Sequence, residues 1–340
     1  MRYIVQLFLC CLPLISCGQN NIPENYTLHS DVLWAEPKGY SLTMDIYSPN
    51  NEQESYPVLI IYHGGGWLIN DKSIMDQMSQ YIASNANYVV CNVDYRLLTA
   101  NDNTTKMNEI IEDAMGAVLW VKEHIAQYKG NPNQIAVTGD SAGGQLAAMV
   151  VNAGQSLSEN SFDSDPIGFT PTYIPKEKTI DQLIEERALA VQAAILSYPA
   201  VDIYTAAMSG FEKESNFFWQ MGGAKARSLY GGDINPTSNP EYYKRSSPIY
   251  TIPQASKRKL PPQFCHVGSK DQTTTPSSIK SYVEALKEHG QQVEYWEYQG
   301  RNHAYLDSGS NEFLGNTFEK DAITPIKKII DFLDGVFYKK

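Results

Sequence analysis

Residues 135–144 read Ile-Ala-Val-Thr-Gly-Asp-Ser-Ala-Gly-Gly, and this stretch decides the expected fold. The apolar run at its start is typical of a buried strand, and the small residues after Ser141 are typical of the start of a helix. Gly139 and Gly143 allow a sharp turn between the two, because neither adds a Cβ that would collide with the backbone. Glycine and serine are also common in ordinary turns, but the strand before this turn and the helix after it identify Ser141 as a candidate nucleophile.

The chain around this turn alternates short apolar runs with helical patterns and contains no internal repeat. Such alternation is typical of a mostly parallel sheet with helices on both faces, so we expect the α/β class. The expected strands are 42–47, 58–62, 88–93, 134–138, 192–197, 263–267 and 293–298. The expected helices are 142–153, 276–289, 320–338 and one that carries the apolar stripe Ile111, Ala114, Val118, Val121 and Ile125.

Two stretches interrupt this alternation. The stretch from about residue 155 to 187 is polar and irregular, and the stretch from about residue 203 to 250 is rich in aromatic side chains and glycine. Insertions after the carboxyl ends of parallel strands lie over the binding site in such sheets, so we expect both stretches to form a cap. For 155–187, surface decoration is a competing interpretation.

A second motif, His-Gly-Gly-Gly-Trp at residues 63–67, follows the expected strand 58–62. Three consecutive glycines present neighbouring backbone N–H groups without side chains in the way. The motif is typical of an oxyanion hole, in which such N–H groups bind the negative oxygen of an acyl-transfer intermediate. A flexible loop at a strand end is the alternative, and the serine turn further along the chain favours the oxyanion hole.

A nucleophilic serine needs a base and an acid, which follow it in the order Ser, Asp or Glu, His when it lies on such a strand-turn-helix segment. Of the six histidines, only His303 lies on a loop after the last expected strand. Asp271, which follows the strand 263–267, is the acid that we favour on chain order. Asp202 is its rival one strand earlier, and Asp271 alone would read as a turn or helix cap.

The motifs at 63–67, 94–97, 139–144, 268–271 and His303 together resemble the bacterial relatives of hormone-sensitive lipase. They are also similar to a secreted esterase and lipase group, which includes acetyl and feruloyl esterases that act on plant polysaccharides. The resemblance runs from about residue 30 to 338 and implies the α/β-hydrolase fold. The chain departs from the family at 98–100, where Leu-Thr-Ala replaces Ala-Pro-Glu, and in the 155–187 insertion.

The same resemblance implies a serine esterase that forms an acyl-enzyme intermediate, with the N–H groups of Gly65, Gly66 and Ala142 as oxyanion donors. The expected substrate is a short-acyl or carbohydrate-linked ester, and no cofactor or metal is implied. The pocket candidates are the aromatic residues Trp67, Phe217, Phe218 and Trp219, although such clusters more often serve packing. Two alternatives stay open: an acyl-peptidase or arylformamidase with the same triad, and a non-catalytic binding protein with the hydrolase fold.

The net charge of −11 and the absence of a basic cluster disfavour nucleic acid and anionic lipid surfaces as partners. After Arg2, residues 4–15 form an apolar run that is short for a membrane span and ends at Leu-Ile-Ser-Cys. This resembles a bacterial lipoprotein signal, with residues 1–16 removed and Cys17 lipidated; an ordinary secretory signal is the alternative. We therefore expect an exported protein that is lipid-anchored in the bacterial cell envelope, facing the periplasm or at the outer membrane.

Beyond this anchor we expect a tether at residues 17–29 and a catalytic domain at residues 30–340. Cys91 and Cys265 both lie in apolar runs that read as strands. A thiol in such a position behaves as a small apolar group, so we expect both cysteines to be free.

Overall fold

The computed structural model describes residues 25–339, and a sheet of eight strands forms its centre. The strands are β1 Tyr26–Ala35, β2 Leu42–Pro49, β3 Tyr56–Tyr62, β4 Val89–Val93, β5 Gly130–Asp140, β6 Ala193–Ser197, β7 Gln263–Gly268 and β8 Val293–Tyr298. Their order is β1-β2-β4-β3-β5-β6-β7-β8. The pairs β1–β2 and β2–β4 are antiparallel, and all later pairs are parallel. The mostly parallel sheet that the sequence predicts is confirmed.

Helices cover both faces of this sheet. They are α1 Asp76–Asn85, α2 Ala100–Asn103, α3 Met107–His124, α4 Ser141–Ala153, α5 Ile180–Glu185, α6 Ile203–Met208, α7 Phe217–Met221, α8 Pro240–Arg245, α9 Pro276–Glu288 and α10 Ile323–Phe337. Helices α1 and α10 contact each other, and α3 and α4 form another packed pair. Strands β3, β4 and β6 are buried along their whole length, as expected for strands covered on both sides.

Strand β1 is the one element of the large sheet that the sequence did not predict. It pairs with β2 from Tyr26 to Ala35 and is interrupted by two irregularities in register. As an edge strand it buries only Tyr26 and Trp34, so its sequence lacks the apolar alternation of a half-buried strand. Residues 26–29, which we assigned to the tether, lie in this strand, and the expected boundary at residue 29 is therefore corrected.

Two further expectations concern the part of the chain that the structure describes. Cys91 and Cys265 are both buried free thiols, as the sequence predicted. From residue 25 to 339, no helix combines the length and the apolar character needed to cross a bilayer. The expected signal segment, residues 1–16, and Cys17 lie outside the described residues.

The insertion at 155–187 packs along α3. Its backbone joins that helix where Thr172 N–H donates to the carbonyl of Glu112 at 3.0 Å. Its aromatic residue Phe162 stacks on Tyr230 of the second insertion, with ring centroids 5.4 Å apart. The first insertion is thus wedged between α3 and the second insertion, so that it supports the cap from the side.

A buried ion pair fixes this arrangement. Asp113 on α3 is fully buried and accepts hydrogen bonds from Arg96 Nε at 2.8 Å and from Arg96 Nη2 at 2.7 Å. The hydroxyl of Thr172, from the 155–187 insertion, donates to the same carboxylate. One buried carboxylate therefore links the loop after β4, helix α3 and the insertion.

We expect Asp113→Asn to lower the free energy of unfolding by about 3 kcal/mol, because it removes the closer countercharge of the buried Arg96 guanidinium and leaves only the longer pair with Glu109 at 3.4 Å. Equilibrium denaturation in urea measures the change. Glu186→Gln is the matched control, since Lys178–Glu186 is a largely exposed ion pair and its loss should change stability by less than about 1 kcal/mol. Equal stability of the two variants would contradict the structural role given to Asp113.

Candidate active site

The predicted nucleophile lies on a strained turn between β5 and α4. Strand β5 ends at Asp140, helix α4 begins at Ser141, and Ser141 has a left-handed backbone with φ of +50°. A Cβ on Gly143 would collide with the carbonyl of Tyr62, and a Cβ on Gly139 would collide with the backbone of Gly143. Both glycines are therefore required by the close packing of β5 and α4 against β3, as the sequence predicted.

The structure brings Ser141, His303 and Asp271 into one chain of hydrogen bonds. Ser141 Oγ lies 2.9 Å from His303 Nε2, and His303 Nδ1 lies 2.7 Å from Asp271 Oδ2. All three residues are buried or nearly so, with Ser141 6% and His303 7% exposed. The imidazole is thus placed to take the serine proton while the carboxylate orients it and stabilises the imidazolium.

The turn after β7 fixes the carboxylate of Asp271. It accepts the backbone N–H groups of Thr273 at 2.8 Å and Thr274 at 2.9 Å. The hydroxyl of Thr274 lies 3.2 Å from both Asp271 Oδ2 and His303 Nδ1, and it donates to the carbonyl of Tyr198 at 2.8 Å. Asp271 therefore serves both as a turn residue and as the partner of His303.

The rival acid Asp202 lies elsewhere. It caps the amino end of α6, where it accepts Thr205 N–H at 2.9 Å and the Thr205 hydroxyl at 2.8 Å. Asp202 thus has the helix-capping role that was the alternative for Asp271. Asp271 is the acid in contact with His303.

The glycine-rich loop after β3 has the backbone that an oxyanion hole requires. Gly65 and Gly66 have φ of +114° and +60°, and Leu68 and Ile69 both donate to the Gly65 carbonyl at 3.1 Å. Between residues 25 and 339, neither glycine N–H finds an acceptor. Ala142 lies in the first turn of α4, where backbone N–H groups have no acceptor inside the helix. These three N–H groups are the expected oxyanion donors.

His63 shapes the start of this loop instead of taking part in proton transfer. Its ring stacks on Tyr95 with centroids 4.3 Å apart, and Tyr95 donates its hydroxyl to the His63 carbonyl at 2.6 Å. Burial lowers the pKa of His63, which favours the neutral imidazole. The loop is therefore held from behind by aromatic packing.

Asp140 is a site residue that the sequence analysis missed. Its buried carboxylate lies against Gly64, and the Gly64 backbone and the Tyr198 hydroxyl both favour its ionised form, whereas Asp140 Oδ1 has no hydrogen-bond partner among residues 25–339. Burial raises the pKa of Asp140 to about 6, while the nearby His303 lowers it. Tyr198 in turn accepts Leu306 N–H at 3.3 Å, and its ring lies edge-on to His303 with centroids 4.8 Å apart. Asp140 thus connects the serine turn to the oxyanion loop and to the histidine loop.

Asn316 is the second residue that was missed. It lies in β10 Asn316–Thr317, which pairs with β9 Ser310–Asn311, and its side-chain amide donates to the His303 carbonyl at 2.5 Å. Asp140 occupies the first variable position of the Gly-x-Ser-x-Gly motif, where the motif specifies no residue type. No sequence pattern around Asn316 indicates its contact with His303. Both contacts depend on loops that meet only in the folded chain.

The aromatic pocket candidates divide into two groups. Phe218 of α7 lies against Gly66, and its neighbour Phe217 is 55% exposed. Trp67 and Trp219 are only 3% and 1% exposed. Their indole N–H groups donate to Gln145 Oε1 at 3.1 Å and to the carbonyl of residue 211 at 2.9 Å. Phe218 thus lies beside the oxyanion loop with Phe217 next to it, whereas both tryptophans pack inside the protein, and a pocket role for these four residues stays a prediction.

The insertion at 203–250 therefore covers the site through α7.

The other buried histidine, His266, lies between the hydroxyls of Ser197 at 2.9 Å and Tyr305 at 2.6 Å. Burial lowers the pKa of His266 to about 3, so it stays neutral. Within the described range, no group of three histidine, cysteine or acidic side chains is arranged to hold a metal ion.

Comparison with known sequences gives a family match over residues 44–286, to the family BD-FAE. The chain is 34% identical to the carboxylesterase NlhH of Mycobacterium tuberculosis over 112 residues, which are 33% of this chain and 34% of that protein. It is 30% identical to the esterase LipQ of the same species over 255 residues, which are 73% of this chain and 50% of that protein. The chain thus spans a third to a half of the length of these curated relatives.

Among solved structures, the chain is similar to Thermogutta terrifontis esterase 2 phosphorylated by paraoxon. The TM-score is 0.65 at 20% sequence identity, and the match covers 92% of this chain and 95% of the other. The propionate-bound form of that esterase gives a TM-score of 0.62, with 93% and 97% covered. At this level of identity the likeness establishes the fold, which is the α/β-hydrolase fold that the sequence predicted.

We expect a small organophosphonate to label Ser141, and Asp271→Asn to slow this labelling by about 10³–10⁴-fold, because the amide no longer orients the imidazole in its reactive tautomer. Asp202→Asn is the matched control and should label at the wild-type rate, since asparagine also caps helices well. Intact-protein mass spectrometry follows the labelling over time. Slow labelling of the Asp202 variant with an unaffected Asp271 variant would reverse the assignment of the acid.

Proposed function

We propose that this chain, which belongs to the BD-FAE family, is a serine hydrolase that cleaves carboxylic esters through an acyl-enzyme intermediate. The observation that carries the proposal is the unbroken hydrogen-bond chain from Ser141 through His303 to Asp271, at 2.9 and 2.7 Å. The relatives named above are carboxylesterases and esterases, which supports an ester rather than an amide as the substrate.

In the first step, Ser141 attacks the ester carbonyl while His303 takes the hydroxyl proton. The carbonyl oxygen becomes negative and lies where the N–H groups of Gly65, Gly66 and Ala142 can donate to it. The tetrahedral intermediate then collapses, the carbon–oxygen bond to the alcohol breaks, and His303 returns its proton to that alcohol. The product of this step is an ester of Ser141 with the acyl group.

In the second step, water attacks the acylated Ser141 while His303 takes a proton from it. The same N–H groups stabilise the second oxyanion. The bond to Ser141 Oγ breaks, the serine recovers its proton from His303, and the carboxylic acid leaves. Throughout both steps Asp271 stays a carboxylate that holds the imidazole and stabilises its charged form.

The surroundings of Ser141 favour a small acyl group. Ser141 is only 6% exposed, and the ring of Phe218 closes over Gly66 of the oxyanion loop. A groove of about 320 Å³ next to Thr274 is lined by five hydroxyl side chains and Asp202, together with apolar residues such as Val201 and Ile249. Hydroxyls and a carboxylate are suitable partners for a sugar alcohol. We therefore propose short-acyl esters, including esters of carbohydrates, as the substrate class.

We expect the domain to hydrolyse 4-nitrophenyl acetate faster than 4-nitrophenyl octanoate, because Phe218 restricts the acyl side. Ser141→Ala and His303→Ala should each lower kcat by about 10⁴–10⁶-fold, since the triad acts as one unit. Initial rates with 4-nitrophenyl esters, acetylated oligosaccharides and the matching anilides measure both the reaction and its selectivity.

The control is Ser209→Ala, which removes another serine hydroxyl and should leave every rate unchanged. Thermal unfolding of each variant verifies that the fold is retained. Full activity of Ser141→Ala would rule out the mechanism, and activity confined to anilides would favour the amidase alternative. Binding of acetylated oligosaccharides without any turnover would favour the non-catalytic alternative.

We also propose that the protein is exported and anchored through a lipid on Cys17. The support is the apolar run 4–15 and the sequence Leu-Ile-Ser-Cys at residues 14–17. Acyl chains at Cys17 would hold the domain at a membrane surface without a spanning helix.

We expect cells that express the full chain to incorporate an alkyne-tagged palmitate into it, and Cys17→Ala to abolish the label because the acceptor thiol is lost. In-gel fluorescence after membrane fractionation measures the label. Cys10→Ala is the matched control, since Cys10 lies inside the apolar run. Equal labelling of the wild type and the Cys17 variant would contradict the anchor.

A further inference from the structure

A cavity of about 440 Å³ lies at the edge of the sheet opposite the triad. Residues Gln192 and Pro261, which precede β6 and β7, line it together with the last turn of α4. The triad residues lie at or after the carboxyl ends of β5, β7 and β8, so the cavity cannot share substrate contacts with them. Its volume is within the usual range for pockets that hold small molecules.

The wall of the cavity is mainly apolar. Its apolar lining includes Val150, Val151, Leu189, Val191, Leu260 and Val336. The segment that carries Leu189 is held in place by Lys122, whose ammonium donates to the carbonyls of Ala188 at 2.7 Å and Ala190 at 2.5 Å. Burial lowers the pKa of Lys122 to about 8, and no carboxylate pairs with it among the described residues. The wall is thus preformed and has a cation behind it.

The lining of the cavity carries positive charge. Arg187, Arg258 and Lys259 all line it, and none of the described lining residues carries a carboxylate. Arg258 donates to the carbonyls of Val151 and Asn152 in the last turn of α4, which fixes its guanidinium. Arg187 is exposed, and its guanidinium makes no ion pair or hydrogen bond with residues 25–339.

The two guanidinium groups repel each other. Burial and the neighbouring charge of Arg187 both lower the pKa of Arg258, which nevertheless remains protonated at neutral pH. In a protein with a net charge of −11, a cavity with three cations and no acidic partner is locally complementary to an anion. An anion between the guanidinium groups would relieve the repulsion.

We propose that this cavity is a binding site for an amphiphilic carboxylic acid, with its carboxylate between Arg187 and Arg258 and its alkyl chain against the apolar wall. A guanidinium pairs with a carboxylate through two parallel hydrogen bonds, which fits the anionic end. The apolar wall distinguishes such an acid from an inorganic anion, which would leave that wall uncovered. The proposal does not depend on ester hydrolysis, because the cavity and the triad are at opposite edges of the sheet.

Calorimetric titration of the domain with octanoate tests the proposal. We expect one saturable binding event, at least about tenfold tighter than for 1-octanol or acetate, because each of these lacks one half of the recognition. Arg187→Gln should weaken octanoate binding by about tenfold or more, since it removes a charge-assisted pair. Ala190→Trp should also weaken it, because residue 190 lines the cavity from an exposed position and the indole would fill the space.

Lys257→Gln is the matched control, since Lys257 is an exposed cation nearby that does not line the cavity. It should bind octanoate as the wild type does. All three variants should hydrolyse 4-nitrophenyl acetate at the wild-type rate, so that a failure here is distinct from a failure of the proposed function. Unchanged octanoate affinity in Arg187→Gln, or equal affinities for octanoate and either control ligand, would overturn the proposal. If Ala190→Trp fails to fold, Arg187→Gln alone decides.

Discussion

The contact between α4 and the end of β3 is the constraint on which the rest of the structure depends. Gly143 lies so close to the carbonyl of Tyr62 that no side chain fits, and Ser141 takes a left-handed backbone, which costs about 1–2 kcal/mol. Every residue of α4 is buried, so the surrounding packing holds this strained turn in place. The same turn directs the Ser141 hydroxyl to His303 and leaves the Ala142 N–H free, so one local constraint supplies both the nucleophile and an oxyanion donor.

Buried carboxylates then connect this turn to the loops around it. Asp271 is held by N–H groups of its own turn and therefore orients His303 without help from distant elements. Asp140, in contrast, is stabilised by polar groups of Gly64 and Tyr198, which belong to two other loops, and its Oδ1 has no hydrogen-bond partner among residues 25–339. Moving either loop away would leave this buried carboxylate still less compensated, so the position of each loop is tied to the position of the others. The geometry of the site is thus a property of several loops at once.

The sequence predicted those features that local patterns encode. Strands β2 to β8 carry short apolar stretches, which are interrupted by polar residues in β2 and β8, and Ser141 and His303 follow from a motif and from chain order. Strand β1 has no such signal because an edge strand buries little. The roles of Asp140 and Asn316 depend on loops that approach each other only after folding. Composition likewise identified the aromatic cluster around Trp67 and Trp219 but not the direction in which each ring points, and both rings point inward.

Helix α4 affects the electrostatics at both edges of the sheet, because its two ends carry opposite partial charges. Its amino end presents free N–H groups beside Ser141, where negative charge would develop. Its carboxyl end presents carbonyls to Arg258, and the guanidinium fits there because the last turn of a helix carries partial negative charge. Carbonyl dipoles neutralise only part of a full positive charge, and no described residue that lines the cavity carries a negative charge to neutralise Arg187. The positive potential at the cavity therefore depends on α4, the helix that begins at Ser141. The carbonyls of its last turn hold the Arg258 guanidinium next to that of Arg187.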